Sequence, residues 1–405
     1  MSSLRHPPSR TARLCFYLLF PGFFLYHFLV AKQWLPGLLG GYSTAMASLL
    51  LLPLGLLFLH KVLLQRDERC AMDIAFPAFV LFYLLVLLLN MALSGRGGAA
   101  SEQFGIVPQF LSLYCLARVL PVEQPRFQHW LWIFLLAMTA AIAFNADEGT
   151  FVVAALDLLL TTDYLANYQA YAFVYSVVML LVLAPLQKRS HRLALYAFAI
   201  PTLFLNGART EFIGVLLLVL LMEFLQSRHK LVSLTVATAL VGLAYASLPL
   251  LAELYPESRT VFLFIDASDD VSANERARML AGGLRSLVES PWIGDLGSHA
   301  PGEHIHNALS AWVDLGIVGF AWYVLLIAVP ALDLFVLRRR QLARPSYRLA
   351  FALIFLIALF AVTAKHFTHQ LLPLALGAYA QHVVAERRRQ QSSKPRAALD
   401  AALAV

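Results

Sequence analysis

Three short segments carry side chains able to do chemistry. The first is Leu205-Asn206-Gly207-Ala208-Arg209-Thr210-Glu211, which sets Arg209 in a tight turn between two short apolar stretches. A guanidinium near or below a membrane surface costs about 2.5–3.5 kcal/mol at full depth and less toward the interface, so it calls for a partner. Glu211, lipid headgroups reached by snorkelling and an anionic ligand all answer that need.

The second segment runs from Val271 to Pro291. Ser272 and Glu275 form a capping box, so a helix is expected to start there. Pro291 limits its end. Leu280, Leu284 and Leu287 make an apolar stripe at helical spacing, and Arg276 lies one turn earlier on that stripe. Arg278 and Arg285 fall on another, solvated face. Arg276 is therefore the stronger candidate for ligand contact, and an interfacial helix touching phospholipid is the plain alternative.

The third segment is Ser298-His299-Ala300-Pro301-Gly302-Glu303-His304-Ile305-His306-Asn307-Ala308-Leu309, which runs straight into an apolar stretch. Imidazole accepts protons near neutral pH, so a histidine at a membrane entrance suits a general base for a hydroxyl group. A purely structural role at a helix start is the alternative for each. The spacing of His299, His304 and His306 fits no strong metal-ligand pattern, and no metal is expected. Cys15, Cys70 and Cys115 show no redox or metal spacing. A Walker-type phosphate loop is absent from the sequence.

The elements that must position these groups follow from composition. Of 405 residues, 60% are apolar and only 14% are Asp, Glu, Lys or Arg. Soluble domains carry about 45–50% and about 25%. The mean hydropathy is +0.70. A soluble enzyme, a disordered chain, a coiled coil and a disulfide scaffold are excluded. An all-α polytopic membrane body is expected. No cleavable signal peptide is evident, because no small-residue site follows the first apolar stretch.

A hydrocarbon core needs roughly 20 apolar residues as helix. Twelve stretches qualify as candidate spans: 14–30, 38–59, 74–93, 104–120, 130–144, 170–186, 193–206, 211–225, 231–250, 308–336, 349–364 and 367–385. With a cytoplasmic N-terminus, the cytoplasmic segments hold 23 of the 31 Lys and Arg residues, and the other side holds 8. That follows the positive-inside rule. The net charge of +7 is thus read as topology and not as nucleic-acid binding. Segment 145–169 carries Asp147, Glu148, Asp157 and Asp163 with no base, as an outside loop should.

The expected organisation is an N-terminal membrane region (1–250), an outside loop with an amphipathic helix (251–307), a C-terminal membrane region (308–385) and a basic cytoplasmic tail (386–405). Residues 251–307 form the only long connection between spans, and long ordered loops are usually functional. No internal repeat pairs the two halves.

Taken in order, these pieces resemble the O-antigen ligase and polymerase family of bacterial envelope glycosyltransferases. They are an Arg turn between short helices and an outside helix led by Arg276 and ending in Pro291-Trp292-Ile293-Gly294. His306-Asn307 then precedes a span containing Gly316-Ile317-Val318-Gly319. The likeness is best over about residues 200–325. It implies a GT-C-like, metal-independent and cofactor-free enzyme of the inner membrane, with its active site facing the periplasm and both termini in the cytoplasm. The donor would be a glycan on undecaprenyl diphosphate. The acceptor would be a lipid A–core sugar hydroxyl for a ligase, or a carrier-linked repeat unit for a polymerase. Relatives in the family transfer the glycan to protein hydroxyls.

The resemblance matches Arg209, Arg276 and His306 to the family's catalytic positions. Arg278, His304 and Asn307 complete the expected substrate-contacting set. Two readings from other classes stand beside it. A twelve-helix transporter rests on helix number, and a metal-dependent hydrolase rests on His299, His304 and His306.

Overall fold

The computed structural model describes residues 7–37, 42–65, 68–94, 103–147, 150–151, 167–256, 258, 260–261, 271–296 and 305–403. Each of the twelve apolar stretches carries helix. The first is α1 (Pro7–Tyr17), a π turn (Leu18–Gly22) and α2 (Phe23–Ala31) in succession. Pro21 in that turn offers no donor, and the Tyr42 hydroxyl donates to Leu18 O at 2.8 Å. Then come α3 (Tyr42–Leu64), α4 (Met72–Ser94), α5 (Ile106–Val119) and α6 (Pro125–Phe144). A two-stranded antiparallel ribbon follows, β1 (Ala146–Asp147) with β2 (Thr150–Phe151), pairing Ala146 with Phe151. Next are α7 (Tyr168–Leu183), α8 (Arg189–Asn206), α9 (Arg209–Gln226), α10 (Lys230–Ala246) and α11 (Leu248–Leu254). The loop helix is α12 (Val271–Glu289), and α13 (Leu309–Gln341), α14 (Pro345–Thr363) and α15 (Leu371–Leu403) follow.

Local chemistry explains several ends. Asn167 caps α7 by accepting from Ala170 N at 3.0 Å. Pro125 and Pro345 open α6 and α14, where a missing N–H costs nothing. Gly207 ends α8 at φ 76°, a left-handed cap that suits glycine.

Among the described residues, six helical stretches are long and apolar enough to cross a membrane: Arg10–Ala31, Tyr42–Val62, Met72–Leu93, Pro125–Phe144, Leu309–Val336 and Pro345–Thr363. The pair α10–α11, bent by 48°, makes a seventh if counted as one span. Large apolar side chains face outward, including Leu52 at 70% exposure and Ile74 at 76%. A water-soluble surface rarely shows contiguous patches of this kind. The protein is an all-α, membrane-embedded body.

The centre is built from helices apolar on every side. Every residue of α7 from Tyr171 to Leu183 is buried, as is most of α14. Helix α5 packs between α3 and α15, and α15 also packs on α14. Helices α10 and α11 lie at the periphery with no buried residue.

The helix ends opposite to Arg209 and His306 hold a layer of buried charge. Arg118 is fully buried, and its Nε lies 2.7 Å from Asp73 Oδ1. It also donates to Glu68 O at 2.6 Å, while Lys61 Nζ donates to Arg118 O at 2.8 Å. Arg192 meets Glu223 at 2.6 Å, and Arg348 donates to Leu186 O and Gln187 Oε1. These bases were expected as loop markers of topology. They also tie the connections between helices to one another.

Two sequence expectations need correction. The stretch 231–250 is not one straight span but the bent pair α10–α11. The stretch 308–336 is interrupted, since Gly316 has φ 67° and ψ −177°. On α12, Gly283 is buried while Leu284, on the apolar stripe, is 45% exposed. Glycine leaves room there: a Cβ at 283 would stand 2.1 Å from Ile305 Cδ1.

Candidate polar cavity at the His306 end

The break at Gly316 fixes the first part of α13, which follows His306. In an unbroken helix Ile317 N would donate to Val313 O, four residues back. Here Ile317 N donates to Pro291 O at 3.0 Å, and Val313 O accepts from Asp295 N at 2.8 Å. The Pro291-Trp292-Ile293-Gly294 turn is thus spliced into one helical hydrogen bond. Trp312 Nε1 adds a bond to Pro291 O at 3.1 Å. Both glycines are needed. Gly294 has φ 75°, and a Cβ on it would lie 2.4 Å from Asp314 C and O. A Cβ on Gly316 would lie 2.0 Å from Trp292 O. The two glycine motifs read separately in the sequence form one joint, and that joint fixes the turn after α12 to α13.

Just before this joint, the start of α13 is fastened to the end of α14. Ala308 N donates to Ala361 O at 2.5 Å, and Phe367 N donates to Ser310 Oγ at 3.0 Å. Asn307 caps α13, its Oδ1 accepting from Leu309 N at 2.9 Å. This brings His306 beside Lys365-His366-Phe367-Thr368-His369-Gln370, the connection between α14 and α15. Asp314 is buried, and its Oδ2 lies 3.0 Å from His366 Nε2. The other ring nitrogen, Nδ1, lies 2.7 Å from Thr368 Oγ1. A carboxylate on one nitrogen orients an imidazole.

His306, Lys365, His366 and His369 line one cavity of about 390 Å³. The starts of α3, α5 and α7 supply Ser43, Gln109 and Gln169 to its wall, and the π turn and α2 supply Phe20 and Phe23. Lys365 Nζ lies 2.7 Å from Glu211 Oε1 and donates to Gln169 Oε1 at 3.2 Å. Glu211 is nearly fully buried on the first turn of α9, so this ion pair joins the start of α9 to the cavity wall. A buried pair of this kind loses most of its value if one partner is removed.

Arg209 is the first residue of α9, two before Glu211, and is half-buried. The sequence offered Glu211 as a partner for Arg209; the structure pairs Glu211 with Lys365. Asn206, one turn earlier, is fully buried, and neither amide atom has a hydrogen-bond partner among the described residues.

Of the expected site residues, His306 lies in the cavity wall, Asn307 follows it as a helix cap, and Arg209 starts the helix that the Glu211–Lys365 pair anchors. Arg276 lies on α12, which packs on α13, but its side chain is outside the described residues. Arg278 is exposed. His299 and His304 are outside the described residues, as are Glu148, Asp157 and Asp163. Among the described residues no three His, Cys, Asp or Glu side chains converge as a metal site. Sequence reasoning missed Lys365, His366, His369, Gln109 and Gln169. The dense polar run from Lys365 to Gln370 between two apolar stretches was the available signal.

No protein-family model matches this chain, and no curated protein matches it either.

Proposed function

We propose that the chain is an O-antigen ligase-like glycosyltransferase of a bacterial inner membrane, GT-C-like with twelve spans and a periplasmic active site. It would move a glycan from undecaprenyl diphosphate to a lipid A–core sugar hydroxyl. The observation that carries this reading is the placement of His306 in a polar cavity at the end of the bundle where α9 begins with Arg209. The docking of α12, which bears Arg276, on the helix that follows His306 adds support.

The chemistry runs as a single displacement. The acceptor hydroxyl gives its proton to His306 as its oxygen bonds to the anomeric carbon. The bond from that carbon to the diphosphate breaks, and the diphosphate leaves with the electron pair. Arg209 and Arg276 hold the growing negative charge with forked hydrogen bonds. Each such donor is worth about 10²–10³ in rate, and the base about 10²–10⁴. The carrier stores the activation energy, so the reaction needs no nucleotide.

The test is cellular glycan display by Arg209→Ala, Arg276→Ala and His306→Ala variants with intact membrane insertion. Loss of long-chain glycan is expected in each, and wild-type glycan in all three refutes the roles. The product separates ligase from the related repeat-unit polymerase. Without a ligase, polymerised glycan stays on the carrier; without a polymerase, single units cap the lipid.

A transporter is the second reading. The break at Gly316, about 10 Å along α13 by helical rise, and the buried pairs Lys365–Glu211 and His366–Asp314 favour it. Solute uptake into liposomes without glycan product would select it.

A further inference from the structure

The cavity's wall is electrically quiet. Lys365 is the one Lys or Arg in it among the described residues, and its charge is already met by Glu211 at 2.7 Å. His366 faces Asp314 at 3.0 Å. His306 and His369 add imidazole to the wall, and the other polar groups are amide and hydroxyl. Gln370 Nε2 donates to Gln109 Oε1 at 2.6 Å, and Gln109 Nε2 donates to Thr44 Oγ1 at 2.6 Å. Gln169, Ser43 and Thr368 also line the space, and Phe20, Phe23 and Phe173 supply aromatic surface.

A diphosphate brought here would meet no uncommitted cation in the described wall, and burying unpaired charge is costly. A neutral ring bearing several hydroxyls fits better. Each hydroxyl both donates and accepts, as each carboxamide does. The apolar face of a sugar ring matches an aromatic side chain. The volume falls in the range of about 300–1,000 Å³ typical of small-molecule sites.

We propose that this cavity binds a neutral, hydroxyl-rich sugar ring, and that it is the acceptor subsite, separate from the diphosphate. The name acceptor rests on the transferase reading; the binding of a neutral glycoside does not.

The experiment uses the full chain in lipid nanodiscs with Ser43→Cys as a reporter in the wall. Cys15, Cys70 and Cys115 are buried, so background alkylation is low. The probes are methyl β-D-glucopyranoside, methyl α-D-galactopyranoside and inorganic pyrophosphate. At least one glycoside is expected to slow alkylation at position 43, about tenfold at about ten times its Kd. The same glycoside is expected to raise the unfolding temperature of the wild-type chain, and Gln370→Leu to remove both effects. Protection by pyrophosphate alone overturns the proposal. So does protection by no probe, a thiol at 43 that never reacts in the folded chain, or undiminished protection in Gln370→Leu. Failure here with glycan lost in the Arg209 and His306 variants removes only the subsite. Glycoside protection with normal glycan in those variants removes the transferase reading and leaves the sugar site standing.

Discussion

Replacing Gly316 with alanine tests the joint between the turn after α12 and α13. The native φ 67° and ψ −177° lie in a region that is essentially glycine-only and costs other residues about 1–3 kcal/mol. The new Cβ would also stand 2.0 Å from Trp292 O and 2.3 Å from Trp292 C, both backbone atoms that cannot swing aside. The chain has a way out: it can release the Pro291–Gly294 turn and let α13 run straight. That exchange gives up Asp295 N to Val313 O, Ile317 N to Pro291 O and Trp312 Nε1 to Pro291 O. At about 0.5–1.5 kcal/mol each, three bonds amount to roughly 1.5–4.5 kcal/mol, partly returned by the restored helical bond. The cheaper route sets the cost, about 2–3 kcal/mol in all. In nanodiscs, Gly316→Ala should unfold at a lower temperature and expose the chain near Pro291 to protease. An unfolding curve and a protease pattern equal to wild type would refute the splice.

Neighbouring glycines on α12 make a matched pair. Gly283→Ala should loosen α12 from α13, because its Cβ would stand 2.1 Å from Ile305 Cδ1. Gly282→Ala meets open space and should stabilise by about 0.5–1 kcal/mol, as thermal unfolding will show. Asn206→Leu removes a fully buried amide without a partner among the described residues and should raise stability by about 1–3 kcal/mol; an unchanged or lower unfolding temperature would show that the amide is satisfied. Asp73→Ala strands the buried Arg118 guanidinium and should cost about 3–5 kcal/mol in denaturant unfolding, with Arg118→Met in the same chain recovering part of it. Burial pushes the Cys70 thiol above its ordinary value, so it should resist maleimide at neutral pH until the chain unfolds. A raised thiol value favours the fold below the ordinary thiol range and loses that advantage as pH rises through it, which a pH series of unfolding temperatures on wild type and Cys70→Ser will reveal.

Hydropathy made the helices legible, because each apolar stretch declares itself locally. The opening of α12 was read equally locally, near Ser272, and the helix starts at Val271. What the sequence hid depends on distant partners. Gly316 reads as an ordinary small residue until the Pro291 turn arrives to claim Ile317 N. Lys365 counts as one base on the outer side until Glu211, far away in sequence, reaches it. His366 and His369 fall at the edge of an apolar stretch, where a hydropathy profile smooths them away. Arg118, Arg192 and Arg348 were readable as topology signals, yet their burial reflects how the loops fold back on the helix ends.

The interruption at Gly316 also uncouples two segments of one helix. Within an uninterrupted helix, inserting one residue rotates everything beyond it by about 100°. Because the ladder is cut at Gly316, a length change between Leu309 and Trp312 would swing His306 and the chain before it, yet leave the faces of 317–341 aimed as they are. Such a change would re-aim the imidazole and break the stub's ties to α14 and Pro291. The longer segment, held against α4 and α14, must keep its phase.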